Sequence, residues 1–527
     1  MRPLLIKTGT LVVLAAFLEI IIFPVAGPMP AWRTSLTWLA MVPLLWALIP
    51  AGHVWRPLHA TLVSYAVGVV WNLGTCYWIY DAMHLYGNIN APVSAFITLL
   101  YAFYIGLYYA LFGWLLNLVQ RRAGIAAALA ASPFLWVATE LARSRITCVP
   151  WCLLGYAQVD NFALTRLAPI TGVYGLSFVI MFVNAGIACA LVLPGRRRPA
   201  TIALVAAVLA TGIQNVGNLI RPQAHIGTHK AILLQPNLDV GVGASEDVAS
   251  AAASSAALTL RAASLDSDPT AIALWPESPS PFQTDLPAFT TVAASVAREL
   301  HAPLIAGTIG IQPDAGIKRG YHVYNSAALF TPQQGYSGRY DKIHLVPYGE
   351  YVPFAPLFQF ASGLTQAVGT FDRGVSRAPL TADGHRYGPF ICYEAVFGDE
   401  VRHFAANGAE VLTNISDDGW YGDTSAPFQH INMARMRAIE NDRWILRDTN
   451  NGITASIDPN GRVVENMPRH QRGAVAVHFD YRTTTTFYSA HGDLFAYLIT
   501  LIALVSIAFS LMNRENASQT LHQSLSS

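Results

Sequence analysis

Charge is what this chain has least of. Asp, Glu, Lys and Arg make up 12% of its 527 residues, against 53% hydrophobic residues. A soluble domain carries about twice that charged share, so a large part of the chain is expected to lie in lipid. The charges nearly cancel, to a net +1, which removes the electrostatic ground for a nucleic-acid partner. Cysteine is scarce as well: Cys76, Cys148, Cys152, Cys189 and Cys392, with no CxxC pair. Neither a zinc cage nor a disulfide framework is therefore suggested. Cys148 and Cys152, four apart, would meet on a helix, where packing is their expected role. No repeat of 20 to 50 residues is evident, which argues against a solenoid. The first apolar run lacks a small-residue cleavage site and reads as an anchor, not a removable signal.

What is present is a series of apolar runs of about 20 residues, the length a helix needs to cross a bilayer. Seven fall near 8–25, 33–50, 59–80, 92–118, 124–142, 166–193 and 199–219, and an eighth covers Leu494 to Met512. Glu19 lies inside the first. Basic residues set the expected orientation. Arg2, Lys7, Arg56, Arg121, Arg122, Arg196–Arg198 and Arg514 all fall on one side if there are eight spans, which makes that side cytoplasmic. The loop from Asp81 to Ala91 has no Lys or Arg, as an outside loop should. Arg143, Arg145 and Arg166 break the pattern, either as contacts for a lipid phosphate or as side chains snorkelling from helix ends.

The expected organisation is a seven-span membrane domain over 1–220, a globular domain over 221–490, a C-terminal span over 491–513 and a cytoplasmic tail over 514–527. The globular part is then extracytoplasmic. Strands are predicted at His229–Gln235, Ala271–Trp275, Pro303–Gly307, Pro389–Ile391 and Glu410–Asn414. Helices are predicted near 246–265, 286–300, 398–407 and 426–440, with hairpins over 322–339 and over Arg443–Ser456 with Val463–Glu465. Strands alternating with helices, then hairpins, make a layered α/β sandwich.

Three ionisable residues sit at strand ends or in the loops that follow. Glu277 ends a strand in Trp-Pro-Glu-Ser, Lys342 lies in Tyr340-Asp-Lys-Ile-His-Leu-Val-Pro-Tyr-Gly-Glu350, and Cys392 stops the strand Gly-Pro-Phe-Ile391. Each alone has a plain structural reading: a helix cap, a solvated charge, a core thiol. Together they fit acyl transfer. A thiol attacks a carbonyl as thiolate, so a carboxylate must take its proton. The oxyanion that forms needs a cation or N–H aimed at it, for which Lys342 and the Tyr393 amide are candidates.

These contexts resemble the nitrilase superfamily, and within it the membrane-anchored apolipoprotein N-acyltransferase family. The likeness extends to Pro150-Trp151, Gly155-Tyr-Ala-Gln158, Gly172–Phe178, Tyr324-Asn325-Ser326, Gly349–Pro353, Trp420-Tyr-Gly422, Pro427–His430, Met433–Ala438 and Thr449–Ala455. It implies a nitrilase-like αββα catalytic domain outside a membrane domain of about eight spans, at the bacterial inner membrane. It implies that Cys392 takes an acyl chain from a phospholipid, typically phosphatidylethanolamine, with Glu277 as base and Lys342 at the oxyanion. The thioester then passes to the α-amine of a diacylated apolipoprotein, with no metal or cofactor. Glu350 would orient Lys342 or Glu277, and Tyr393 and Glu394 would support the nucleophile.

Further candidates follow from lipid substrates. The apolar loop from Val352 to Phe360, with Phe354 and Phe358, reads either as core or as a lid for acyl chains. Trp151 and Tyr156 read as entrance residues or as interfacial aromatics, Arg143 as a phosphate contact, and Trp420 as a further substrate contact. The chain departs from the family pattern in three places. Gln235-Pro-Asn-Leu-Asp239 lacks a following tryptophan, Asp417 stands where Asn is common, and Asp448 stands where a small residue is usual. Two other readings compete: a membrane-tethered carbon–nitrogen hydrolase using water, and a transporter or lipid-binding scaffold with an inert domain.

Overall fold

The computed structural model describes residues 2–195, 197–220, 222–223, 225–240, 247–265, 267–277, 282–347, 349–351 and 371–525. The chain divides into two compact units, one comprising 1–77, 95–221 and 491–527, the other 78–94 and 222–490.

The first unit is helical. Among the described residues, five helices are long and apolar enough to cross a membrane: Leu4–Ile21, Ala91–Ala123, Ile125–Ile146, Val173–Val192 and Arg197–Gly217. Pro57–Thr75 makes a sixth if the short turns that follow it are counted with it. Near the C-terminus the apolar stretch is Leu494–Ala508. The span expected over 33–50 is instead two short helices, Ala31–Ala40 and Val42–Leu48. The reason is Pro43, which has no N–H to give and clashes with the preceding turn. Asn184 takes up the backbone groups this break releases: Met41 N donates to its Oδ1 at 2.9 Å, and its Nδ2 donates to Thr37 O at 3.0 Å. Polar side chains do this service for broken helices inside membranes.

Glu19 is buried and accepts from Tyr109 Oη at 2.6 Å. The three arginines that break the charge pattern have protein neighbours. Arg143 lies over the Trp71 ring at 5.2 Å, Arg145 pairs with Asp493 at 2.5 Å, and Arg166 lies over Phe162 at 4.5 Å. Cys148 and Cys152 are not on a helix; both have positive φ, and only Cys152 is buried.

The second unit is two six-stranded sheets face to face with helices outside. The first sheet runs β12–β1–β2–β3–β4–β5. Its members are β1 (His229–Gln235), β2 (Thr270–Trp275), β3 (Leu304–Pro313), β4 (Tyr321–Thr331), β5 (Gly335–Asp341) and β12 (Gly473–Phe479). The second runs β11–β10–β9–β8–β7–β6, from β6 (Leu380–Ala382), β7 (His385–Ile391), β8 (Val411–Ser416), β9 (Ile445–Thr449), β10 (Thr454–Ile457) and β11 (Val463–Met467). In each sheet a parallel core, β1–β2–β3 or β7–β8–β9, is flanked by antiparallel strands.

The period of two along a strand sorts the layers. In β1, Ala231 and Leu233 face the second sheet with Ile272 and Leu274, while Ile232 and Leu234 face helices Val248–Ala263 and Pro287–Leu300. Asp247 caps the first of these, accepting from Ser250 N at 3.2 Å. The strand expected over Arg443–Ser456 is two strands, β9 and β10, turned at Asn450–Gly452 and paired with each other. The edge strands β6 and β12 had no counterpart among the expected elements.

Candidate active site

Glu277, Lys342, Cys392 and Asp417 each sit just past the C-terminal end of a strand, where open α/β sheets gather their sites. Glu277 follows β2 by two residues, Lys342 follows β5, Cys392 follows β7, and Asp417 with Asp418 follows β8. Gly307 in β3 permits the position of Glu277, since a Cβ there would lie 2.1 Å from Pro276 O and 2.7 Å from Glu277 Cα.

The structure brings Glu277, Lys342 and Cys392 together. Lys342 Nζ donates to Glu277 Oε1 at 3.1 Å and to Glu350 Oε1 at 2.9 Å. Asn325, near the middle of β4, bridges the same two carboxylates, its Nδ2 donating to Glu277 Oε1 at 2.7 Å and Glu350 Oε1 at 2.6 Å. Glu277 Oε2 accepts the Asp417 amide at 3.0 Å, and the Cys392 thiol is close enough to feel the charge of this carboxyl. Glu350 is fixed through Val346 N at 2.7 Å.

These contacts set the charges. Burial alone would lift Glu277, but Lys342 beside it, with Asn325, holds its carboxyl below the usual range. Burial opposes the Lys342 charge too, yet Glu277 and Glu350 hold its pKa well up. Burial, then the Glu277 charge, pushes the Cys392 thiol well up, against the pull of Lys342. The resting site is therefore a neutral thiol beside a carboxylate and an ammonium.

The turn carrying Cys392 is held from two sides. Cys392 has φ +48°, a left-handed conformation that costs a non-glycine residue about 1–2 kcal/mol. Glu394 Oε2 accepts Ile391 N at 2.7 Å, while its Oε1 accepts Ile343 N at 2.7 Å, His344 N at 3.1 Å and Tyr340 Oη at 2.8 Å. One carboxyl thus ties the thiol's turn to the loop bearing Lys342. On the other side His430 Nε2 lies 2.9 Å from Cys392 O, and its Nδ1 lies 2.9 Å from Asp418 Oδ1. Arg447 reaches Asp418 Oδ2 at 2.6 Å and also bonds Asn414. Burial would raise Asp418, but Arg447 and His430 hold its carboxyl far below the usual range.

Tyr393 packs edge-on against Phe397 at 5.2 Å, and Trp420 is 44% exposed in the short turn Asp418–Tyr421. Trp151, Tyr156 and Arg143 belong to the first unit and are buried in it. Phe354 and Phe358 lie outside the described residues. Trp78, expected at the end of the span over 59–80, lies edge-on to Tyr421 at 5.1 Å, and Tyr421 edge-on to His430 at 5.9 Å.

The N-terminal part, residues 21–186, matches the model of the apolipoprotein N-acyltransferase N-terminal domain, and residues 238–487 match that of carbon-nitrogen hydrolase. The apolipoprotein N-acyltransferase of Geobacter metallireducens is 32% identical over 94% of this chain and 94% of its own. The chain belongs to the apolipoprotein N-acyltransferase family. The Azotobacter vinelandii member is 33% identical, covering 89% of this chain and 88% of its own, and the Vibrio cholerae member 30%, covering 88% and 89%. Within this N-acyltransferase chain, sequence reasoning passed over Asn325, Asp418, His430, Arg447 and Trp78 as site components. Asn325 and His430 stood inside quoted motifs, and that was the available signal. Two further buried aspartates are Asp417, which follows β8, and Asp448, which lies within β9. Burial and the nearby Glu277 push Asp417 up to about 8. Asp448 is fully buried, and neither of its oxygens is hydrogen-bonded among the described residues. Burial pushes its pKa well up despite the nearby amides of Leu234 and Thr449.

Proposed function

We propose that Cys392 is the nucleophile of a two-step transfer that moves an acyl chain from a membrane phospholipid to the α-amine of a diacylated apolipoprotein. The observation that carries this is the arrangement of thiol, carboxylate and ammonium: Glu277, whose charge acts on the Cys392 thiol, is anionic and Lys342 is cationic at 3.1 Å from it. In the first step the thiol attacks the ester carbonyl while Glu277 takes its proton. The C–O bond breaks, Glu277 returns the proton to the lysophospholipid oxygen, and a thioester remains. In the second step the amine attacks the thioester, Glu277 takes a proton from nitrogen, the C–S bond breaks, and Cys392 is reprotonated.

Two of the three Lys342 N–H groups go to Glu277 and Glu350. The third is the donor for the oxyanion, with the Tyr393 amide beside it; one such donor is typically worth about 10²–10³ in rate. Glu350 and Asn325 position Lys342 and Glu277, and Glu394 keeps the two loops in register. Phosphatidylethanolamine is the proposed donor, and the basic loops on the opposite side support a periplasmic second unit. Trp420, exposed beside Asp418, is the proposed contact for lipid.

The test supplies detergent-solubilised protein with acyl-labelled phosphatidylethanolamine and a diacylated lipopeptide bearing a free α-amine. Label appears in an amide on the lipopeptide. Label released only as free fatty acid would mean that water is the acceptor and would support the hydrolase reading instead.

A further inference from the structure

The second half-reaction has a difficulty that the Glu277–Lys342–Cys392 set does not solve. An α-amine has a pKa of about 8, so at neutral pH the acceptor arrives as an ammonium with no lone pair to attack with. Two protons must leave nitrogen, and Glu277 cycles only one.

A second carboxyl stands beside it. The Asp417 amide donates to Glu277 Oε2 at 3.0 Å, so the two side chains are joined through one residue's backbone. Asp417 Oδ1 accepts Gly419 N at 3.0 Å and Asn450 Nδ2 at 3.2 Å. Oδ2 meets no donor among the described residues, and only 3% of the residue is accessible. Asn450 is in turn held by the loop after β1, accepting Leu238 N at 2.9 Å and donating to Leu238 O at 2.8 Å. Asp417 is thus a fixed, buried carboxyl with one oxygen fully engaged and the other unused.

We propose that Asp417 is the acceptor-side base: its free oxygen receives the ammonium of the incoming lipoprotein and removes the first proton, leaving Glu277 to remove the second. This rests on the reading of Cys392 as the acyl carrier. The balance is simple. Asp417, pushed up to about 8, rests as the acid at neutral pH; the incoming ammonium displaces that proton to solvent, and the carboxylate so formed takes one proton from nitrogen. The neutral amine forms its N–C bond to the thioester, Glu277 takes the second proton, the C–S bond breaks, and that proton restores the Cys392 thiol. Asp417 is left as the acid, as it began.

The electrostatics support the assignment. The groups acting on Asp417 are Glu277, from the loop after β2, and Asp418, its own neighbour. Glu277 is paired with Lys342, and Asp418 with Arg447 and His430. Burial and these anions push Asp417 up to about 8, which matches the α-amine it would deprotonate, so the proton moves between them at little cost. An asparagine at this place keeps the backbone bond to Glu277 and has no base to offer.

The experiment separates the half-reactions. Asp417→Asn is first loaded from labelled phosphatidylethanolamine, and its thioester is then chased either with the diacylated lipopeptide or with hydroxylamine, which is uncharged at neutral pH. Thioester formation stays within about threefold of wild type, while the lipopeptide chase at pH 7 slows by about tenfold, the scarcity of free amine at that pH. Raising the pH to 9, where the amine is free, closes that gap to within about threefold, and the hydroxylamine chase is unchanged throughout. An unaltered lipopeptide chase, or an equal loss with hydroxylamine, overturns the proposal. So does loss of thioester formation in both Asp417→Asn and Asp417→Ser, which would place the residue in the first step or in the fold. Wild-type protein that forms no thioester would instead refute the Cys392 reading itself.

Discussion

Asn325 Nδ2 lies 2.7 Å from Glu277 and 2.6 Å from Glu350, on the same carboxylate oxygens that Lys342 binds. Two carboxylates are therefore held apart by an ammonium and an amide instead of sharing a proton. That keeps Glu277 ionised and available as a base at neutral pH, and it gives the two glutamates next to the reaction different tasks from the one that lies beside the thiol in sequence.

Glu277 and Glu394 should separate cleanly on substitution. Glu277→Gln removes the base and leaves a side chain of the same shape, so acyl transfer falls by about 10²–10⁴ with little change in Tm. Glu394 accepts four hydrogen bonds and donates none. Glu394→Gln turns an NH₂ toward donors, at about 1–3 kcal/mol, so Tm and activity fall together. Thermal unfolding and turnover measured on both variants decide this; a stable but inactive Glu394→Gln would make that residue chemical after all.

Gly307 tests how finely Glu277 must be placed. A Cβ at 307 would overlap Pro276 O and press on Glu277 Cα, so Gly307→Ala must shift the base. A misplacement of about 1 Å is worth about a hundredfold in rate. Acyl transfer by this variant should drop by at least about tenfold while phospholipid binding persists. Unchanged turnover would show that the β2 end has slack.

The charge pattern fixes the pH dependence of the first step. Lys342 holds Glu277 below its ordinary value, so the base is ionised throughout mildly acidic to neutral pH. The thiol is pushed up and is not ionised there. Thioester formation should be nearly flat between about pH 5.5 and 7, because neither group titrates in that window. A rise of about tenfold per pH unit would instead report a preformed thiolate.

Asp448 is a stability prediction. Its folded pKa is raised above the unfolded value of 3.8 by burial. The folded state therefore binds the proton more tightly, and Asp448 contributes instability that grows as pH rises from the unfolded toward the folded value. Asp448→Ala should raise Tm at pH 7 and much less at pH 4. An equal or lowered Tm at pH 7 would mean the carboxyl has a partner that favours its charge.

The candidate triad was legible because strand ends are marked by the sequence itself: an apolar run stops and an ionisable residue follows. Glu277 and Cys392 carry that mark; Lys342 follows the polar hairpin strand Gly335–Asp341 and was legible from its surrounding motif. Asn325 carries no such mark, since it lies within a strand and earns its place only when β4 pairs with β3 and β5. The Asp418–His430–Arg447 network joins the turn after β8, a helix and β9, and no local pattern links them. Trp78 read as the end of an apolar span because its partner Tyr421 is more than three hundred residues away. In the membrane unit, composition found the apolar stretches but averaged over Pro43, and with it the break that Asn184 repairs. Arg443–Ser456 reads as one strand because its residues suit a pleated surface almost throughout, and the turn at Asn450 was absorbed into it.

The central claim is that the acyl chain rests on Cys392 between donor and acceptor. Its most direct test is peptide mass spectrometry of the protein after exposure to acyl-labelled phosphatidylethanolamine without acceptor. The account predicts one labelled acyl group on the peptide bearing Cys392, lost on adding the lipopeptide and absent from Cys392→Ala. An acyl group on a different residue, or turnover to the triacylated product with no adduct and with Cys392→Ala still active, would contradict it.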